Sequence, residues 1–289
     1  MIEKMNPAEQ LFGPRVFHAG LAVREVGKGA QLVLIHGGAG SRTHWINNVA
    51  ALSSCFKVIS LDLPGFGESA SAPEGLSAAE YGSWVAQSVR MAVGKDPYHL
   101  VGFSFGGAVS AAVARLLHEQ KSPPLRMSLI SPSGVGKPVG RMITLEKVKK
   151  DDSTTEQEIR EATARNLGRW MLVREPDAND PAVDIHLQNV SRASFDSRPI
   201  SHQNSLFDHL RVLDVPLQVL LGERDPLIFP SLSERKALIA KSLPGATIKT
   251  IPDAGHWAQY EASSFVNDNI IHFHLRGAHH ELSNNQDTH

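Results

Sequence analysis

A single cysteine, Cys55, occurs in the chain's 289 residues, so an intramolecular disulfide is impossible and a cysteine-based structural zinc site is excluded. An excess of charge of either sign is missing too. Lys plus Arg number 29 and Asp plus Glu 30, a formal net charge of −1. Such a balance gives no global electrostatic reason to bind nucleic acid or an anionic membrane. No stretch approaches the ~18 consecutive apolar residues that a membrane span needs. The first residues carry Glu3, Lys4, Asn6, Glu9 and Gln10 and lack the apolar h-region of a secretory signal, so the expectation is a cytoplasmic protein. What is present is ordinary for a globular chain: 42% hydrophobic and 20% charged residues, which excludes wholesale disorder. The length allows one large domain, or one domain carrying an insertion.

Hydrophobic patterning then sets the class. Residues 15–26 alternate loosely and end at Gly27-Lys28-Gly29, a strand or hairpin followed by a turn. Residues 31–35 form a short continuous apolar run halted by His36-Gly37-Gly38. That pattern suits a strand buried on both faces. Residues 56–61, 98–103 and 126–130 repeat it, with helices expected at 41–53, at 77–93 and from Gly106 to His118. The second of these opens on a capping-box pattern, Ser77 with Glu80 three residues on. Strand and helix alternate, which predicts an α/β fold with a mostly parallel central sheet flanked by helices. Strand signals then lapse from 134 to 210, where helices are expected at 156–174 and 184–195, and resume at 216–221 and 247–251 with helices at 233–242 and 263–275. The division expected is a core of residues 1–133 and 211–276, a helical insertion at 134–210 after the fourth parallel strand, and a polar, flexible tail at 277–289.

Chemistry gathers at the turns that follow strands. Gly102-Phe103-Ser104-Phe105-Gly106 reads G-x-S-x-G between a predicted strand and a predicted helix, a turn so tight that small residues must flank the serine and leave its hydroxyl exposed. A serine hydroxyl needs a general base. Of the fourteen histidines, His256 sits directly after the last predicted strand, at the same sheet edge as Ser104. Asp225, after the preceding strand, is the candidate to orient it, ahead of Glu223, Asp208 and Asp214. It could also simply cap a turn before Pro226. The amides of Gly38 and Phe105 are candidates for an oxyanion hole. A phosphate-binding reading of that glycine turn fails on spacing, since neither G-x-G-x-x-G nor a P-loop motif is present. His272 and His274 do not pair for a metal, because i and i+2 face apart on a helix. No metal or organic cofactor is expected.

In order and place these motifs, with Asp62-Leu63-Pro64-Gly65-Phe66-Gly67, resemble the α/β-hydrolase superfamily over roughly residues 15–276. The segment Gly255-His256-Trp257-Ala258-Gln259-Tyr260-Glu261 is similar to the histidine segment of the meta-cleavage-product hydrolases, which cleave a carbon–carbon bond in 2-hydroxy-6-oxo-dienoates. The resemblance implies that the insertion is a lid, that Trp257 lines the pocket and that a lid arginine, Arg192 with Arg198 behind it, meets the substrate's anionic end. Gly37 and Phe103 are placed at the substrate as well. Phe103 stands where that family usually has asparagine and Phe105 where it often has methionine, which implies a more apolar pocket suited to an ester or lactone.

The expectation is therefore a serine hydrolase with a Ser104–His256–Asp225 triad acting on a small to medium, largely apolar molecule through carbon–carbon or ester cleavage. Related haloalkane dehalogenases and epoxide hydrolases call for aspartate at position 104. A cofactor-free oxygenase, a lyase or a non-catalytic ligand-binding relative would each keep the triad. A homodimer is expected on frequency alone, with no residue arguing for it.

Overall fold

The computed structural model describes residues 11–136, 143–147 and 154–276. Eight strands form one sheet: β1 (Arg15–His18), β2 (Leu21–Val26), β3 (Ala30–Ile35), β4 (Phe56–Leu61), β5 (Tyr98–Phe103), β6 (Met127–Ile130), β7 (Leu217–Gly222) and β8 (Thr247–Ile251). Their order is β1-β2-β4-β3-β5-β6-β7-β8. β1 and β2 form the expected hairpin, and β2 runs antiparallel to β4. The remaining pairs are parallel, from β4 through β8.

Burial on both faces explains the continuous apolar runs. Along β3, Val33 and Ile35 join one core cluster while Leu32 and Leu34 join the other. The first cluster packs under α2 (Ala78–Val93), α3 (Phe105–Glu119) and α8 (Leu232–Ser242). The second packs under α1 (Val49–Ser53) and α10 (Ser263–Leu275). Ser77 and Glu80 make the capping box read from the sequence, each accepting the other's backbone amide.

Three expected helices differ in extent: the one expected at 184–195 runs from Pro181 to Ser191, and the other two differ for tertiary reasons. The helix expected at 41–53 is broken into a 3-10 turn at Arg42–Trp45 and the short α1. The backbone there closes i→i−3 bonds from His44, Ile46 and Asn48, while the Arg42 amide is held by the Asp62 carboxylate and the Asn48 side chain by Gln259 and Asn267. Between β6 and β7 lie α4 (Glu156–Trp170), α5 (Pro181–Ser191), α6 (Arg198–Ser201) and α7 (Leu206–Leu210), with no strand among the described residues there. α4 stops short of the expected 174 because the next backbone groups bond elsewhere: the Met171 carbonyl accepts from Trp257 and the Val173 amide donates to Glu261. The remaining short helix, α9 (Ala258–Glu261), follows the last strand's loop.

Among the described residues no helix is long and apolar enough to cross a membrane, and no group of three or more His, Cys, Asp or Glu side chains could hold a metal. The tail expected at 277–289 lies outside the described residues.

Candidate active site

The parallel register brings the strands' carboxyl ends together, with Ile35 opposite Gly102, Phe103 opposite Ile130 and Gly222 opposite Ile251. Ser104, immediately after β5, takes φ +52° and ψ −118°, a conformation that costs a non-glycine residue free energy and persists because its surroundings over-determine it. Its amide donates to Ile130, and its carbonyl accepts from Gly107 and Ser133 at 2.8 and 3.0 Å. The flanking glycines are steric necessities. A Cβ on Gly102 would strike the Gly106 carbonyl and Ser110, and one on Gly106 would strike the carbonyls of Ile35 and His36.

Three loops from three strands meet at this serine. The Ser104 hydroxyl donates to His256 Nε2 at 2.8 Å, and His256 Nδ1–H donates to Asp225 Oδ2 at 2.8 Å. Asp225 Oδ1 accepts the Leu227 amide. Burial alone would raise the Asp225 pKa, but the positive field and hydrogen bond of His256, with the bond from the Leu227 amide, leave it below the ordinary carboxylate value. The carboxylate therefore stays ionised beside the imidazole and fixes the tautomer whose Nε2 faces the serine. A second imidazole, His44, lies nearby between Phe103 and Trp257. Burial, then the neighbouring His36, His186 and His256, pushes it well below the usual imidazole pKa, so it remains neutral and accepts the Gly37 amide on Nδ1.

The loop after β3 is braced from below. His36 accepts the Leu63 amide on Nε2 at 2.8 Å, and its Nδ1 bonds the Gly37 carbonyl at 2.7 Å. Arg42 donates its backbone and guanidinium to the two Asp62 oxygens, both at 2.7 Å, and also reaches Glu68. Gly67, at φ +57°, leaves room for the Asp62 carboxylate, which accounts for the 62–67 motif. Braced in this way, the loop presents Gly38 to the site. Neither the Gly38 nor the Phe105 amide makes a hydrogen bond among the described residues.

Ser104 and His256 open into a cavity of about 360 Å³ whose walls include Phe103, Phe105, Trp170, Met171, Phe195 and Ile228. Gly38 and Asp225 also line it. Three residues expected at the substrate stand elsewhere. The Trp257 indole is buried in the second core, stacked on Tyr260 at 4.3 Å and donating to the His44 carbonyl. Gly37 lies behind Phe103. Arg192, at the end of α5, borders a separate crevice with Ser41 and Gln188. Arg198 does line the cavity, paired with Asp196 at 2.7 Å, and so do two residues that no motif singles out, Arg235 and Ser197.

A mostly parallel sheet with a serine, an imidazole and a carboxylate converging at its carboxyl edge defines an α/β-hydrolase type of protein. The chain belongs to the alpha/beta hydrolase family, whose pattern matches residues 32–268. It is 29% identical over 262 residues to the dihydrolipoyllysine-residue acetyltransferase component of an acetoin cleaving system from Cupriavidus necator, over 87% of this chain and 65% of that one. The chain thus spans just under two thirds of that relative's length. It is 23% identical over 275 residues to a 2-hydroxy-6-oxo-6-phenylhexa-2,4-dienoate hydrolase from Burkholderia cepacia, covering 88% of this chain and 91% of that one. A thermophilic esterase from Thermogutta terrifontis shares the fold, with a TM-score of 0.67 and 23% identity over 89% of this chain and 97% of its own.

Proposed function

We propose that the protein is a serine hydrolase that cleaves a small, largely apolar carboxylic ester. The observation that carries this reading is the relay Ser104–His256–Asp225, with both links at 2.8 Å, at the mouth of an aromatic-walled cavity. Ser104 Oγ attacks the carbonyl carbon and passes its proton to His256 Nε2, while Asp225 holds the imidazole and stabilises its charged form. The amides of Gly38 and Phe105 receive the oxyanion. Collapse expels the alcohol with the proton from His256, and water then releases the acid by the same relay. The helices between β6 and β7 serve as a lid over the substrate.

Carbon–carbon cleavage of a 2-hydroxy-6-oxo-dienoate is the second reading. Arg198 and Arg235 at the cavity wall favour it, as does the likeness to the Burkholderia cepacia enzyme. Ester cleavage ranks first because Phe103 offers an anionic dienoate head no polar contact, and Trp257 and Arg192 stand outside the cavity. The test is turnover of p-nitrophenyl acetate and butyrate beside a chromogenic 2-hydroxy-6-oxo-dienoate by wild type and Ser104→Ala. Ester turnover lost in the variant is expected. Dienoate turnover alone would reverse the ranking, and no turnover of either by the wild type would overturn both.

A further inference from the structure

We infer that Ser197, on the segment between α5 and α6, donates a third hydrogen bond at the oxyanion position. The inference rests on the serine-hydrolase reading above and concerns a residue outside the relay. An ideal Cβ built on Gly38 would fall 2.5 Å from Ser197 Oγ and 3.7 Å from Phe105 Cβ. The hydroxyl therefore occupies the corner between the two residues whose amides face the developing charge. A side chain at position 38 would meet this hydroxyl first and push it from its place.

The hydroxyl is available for this task. Ser197 stands at the N-terminal boundary of α6, where a serine ordinarily turns its oxygen back to cap a helix amide. Here it makes no capping bond, its backbone is at ψ −12° rather than extended, and among the described residues Oγ has no hydrogen-bond partner. It is half-buried and lines the cavity with Gly38, Phe105 and Ser104.

The segment is held firmly enough to aim it. Two residues before Ser197, Phe195 stacks on Tyr81 with ring centroids 4.7 Å apart and touches Phe66 and Phe105. Just upstream, the Ser194 amide donates to the Gly65 carbonyl at 2.8 Å. Downstream, Ile200 is buried and the amides of Ile200 and Ser201 donate back to the Ser197 carbonyl. The anchoring ring thus packs against the residue that follows the nucleophile. Ser197 makes and breaks no covalent bond in this role. It donates a hydrogen bond as the carbonyl oxygen gains charge, so the transition state is stabilised more than bound substrate.

The test uses the full chain and p-nitrophenyl butyrate. Ser197→Ala is expected to lower kcat by ~10–100-fold with KM nearly unchanged, the signature of an interaction made only in the transition state. An aryl trifluoromethyl ketone, which forms a tetrahedral oxyanion on Ser104, should lose affinity by a similar factor, whereas butyrate, a ground-state mimic, should not. Phe195→Ala should lower kcat too, and the double variant should fall little further, because both changes remove the same hydroxyl from its place. Wild-type turnover with Ser197→Ala unchanged, or changed only in KM, would overturn this inference and leave the serine-hydrolase reading standing. Absence of turnover in the wild type would remove both.

Discussion

Glu261 accepts the amide of Gly255 on one carboxylate oxygen and the amide of Val173 on the other, each at 2.7 Å. One side chain therefore joins the loop that presents His256 to the backbone that leaves α4. The Trp257 amide adds a second tie by donating to the Met171 carbonyl at 2.8 Å.

Glu261→Ala should loosen both segments together. Because the carboxylate is partly exposed, its two charge-assisted bonds contribute about 1–2 kcal/mol in all, read as a lower midpoint in urea. Hydrogen exchange should quicken at both Gly255 and Val173. Faster exchange at only one of them would refute the coupling.

Ser104→Gly should make the protein more stable while abolishing turnover. The φ of +52° suits glycine, and relief of that strain contributes about 1 kcal/mol, or a few degrees in Tm. A lower Tm would mean that the hydrogen bond from Ser104 to His256 outweighs the strain.

Trp257→Phe keeps a ring to stack on Tyr260 but leaves the His44 carbonyl without its donor, a loss of about 1–3 kcal/mol in stability. The ratio of kcat/KM for acetyl and butyryl esters should stay as in the wild type, since the indole does not reach the cavity. A shift in chain-length preference would return Trp257 to the pocket wall.

Acid should destabilise the fold through histidines buried far from the relay. Against Phe56 of the second core, His99 and His274 meet edge to face at 4.8 Å, and His274 bonds Ser128 at 2.9 Å. Burial, with a smaller contribution from Arg126, lowers His99 to about 4, and burial followed by His99 and Arg126 pushes His274 well below the usual imidazole value. Both pKa values are depressed on folding, so the unfolded chain binds protons first. Stability is therefore fully present above pH ~6.5 and falls as pH drops from there toward ~4, by roughly 3 kcal/mol for His99 alone. Tm measured from pH 7.5 to 4.5 should follow that curve, and His99→Gln should flatten it. An equally steep curve in the variant would assign the loss to other groups.

Much of this architecture is legible in the sequence, and the reasons are local. The run at 98–103 ends in glycine-flanked Ser104 and opens an alanine-rich helix, so strand, turn and helix are fixed by burial and sterics within about twenty residues. His256 and Asp225 can be picked out because each follows a strand end, and parallel strands place such loops at one edge. Side-chain direction within those loops is another matter. Trp257 faces inward because Tyr260 and the His44 carbonyl receive it, contacts from residues distant in the chain. Arg192 ends α5 on the wrong side for the cavity, which helical spacing alone could not reveal. Ser197, before Arg198-Pro199, looks like an ordinary helix cap, and Phe195 like a stray aromatic in a loop. Nothing in their own neighbourhood signals Gly38 or Tyr81.

Arg42 and Asp62, exposed by only 3% and 0%, form a buried ion pair that the loss of either partner unbalances. Replacing Arg42 leaves the buried Asp62 carboxylate without its guanidinium, and replacing Asp62 leaves Arg42 with Glu68 among its remaining partners, whereas an apolar pair of matching volume would bury no charge at either position. A scan that varies single positions would score both as indispensable and suggest a role in turnover, although neither lines the cavity. Only a library that changes 42 and 62 together could separate their duty to the fold from a duty to the substrate.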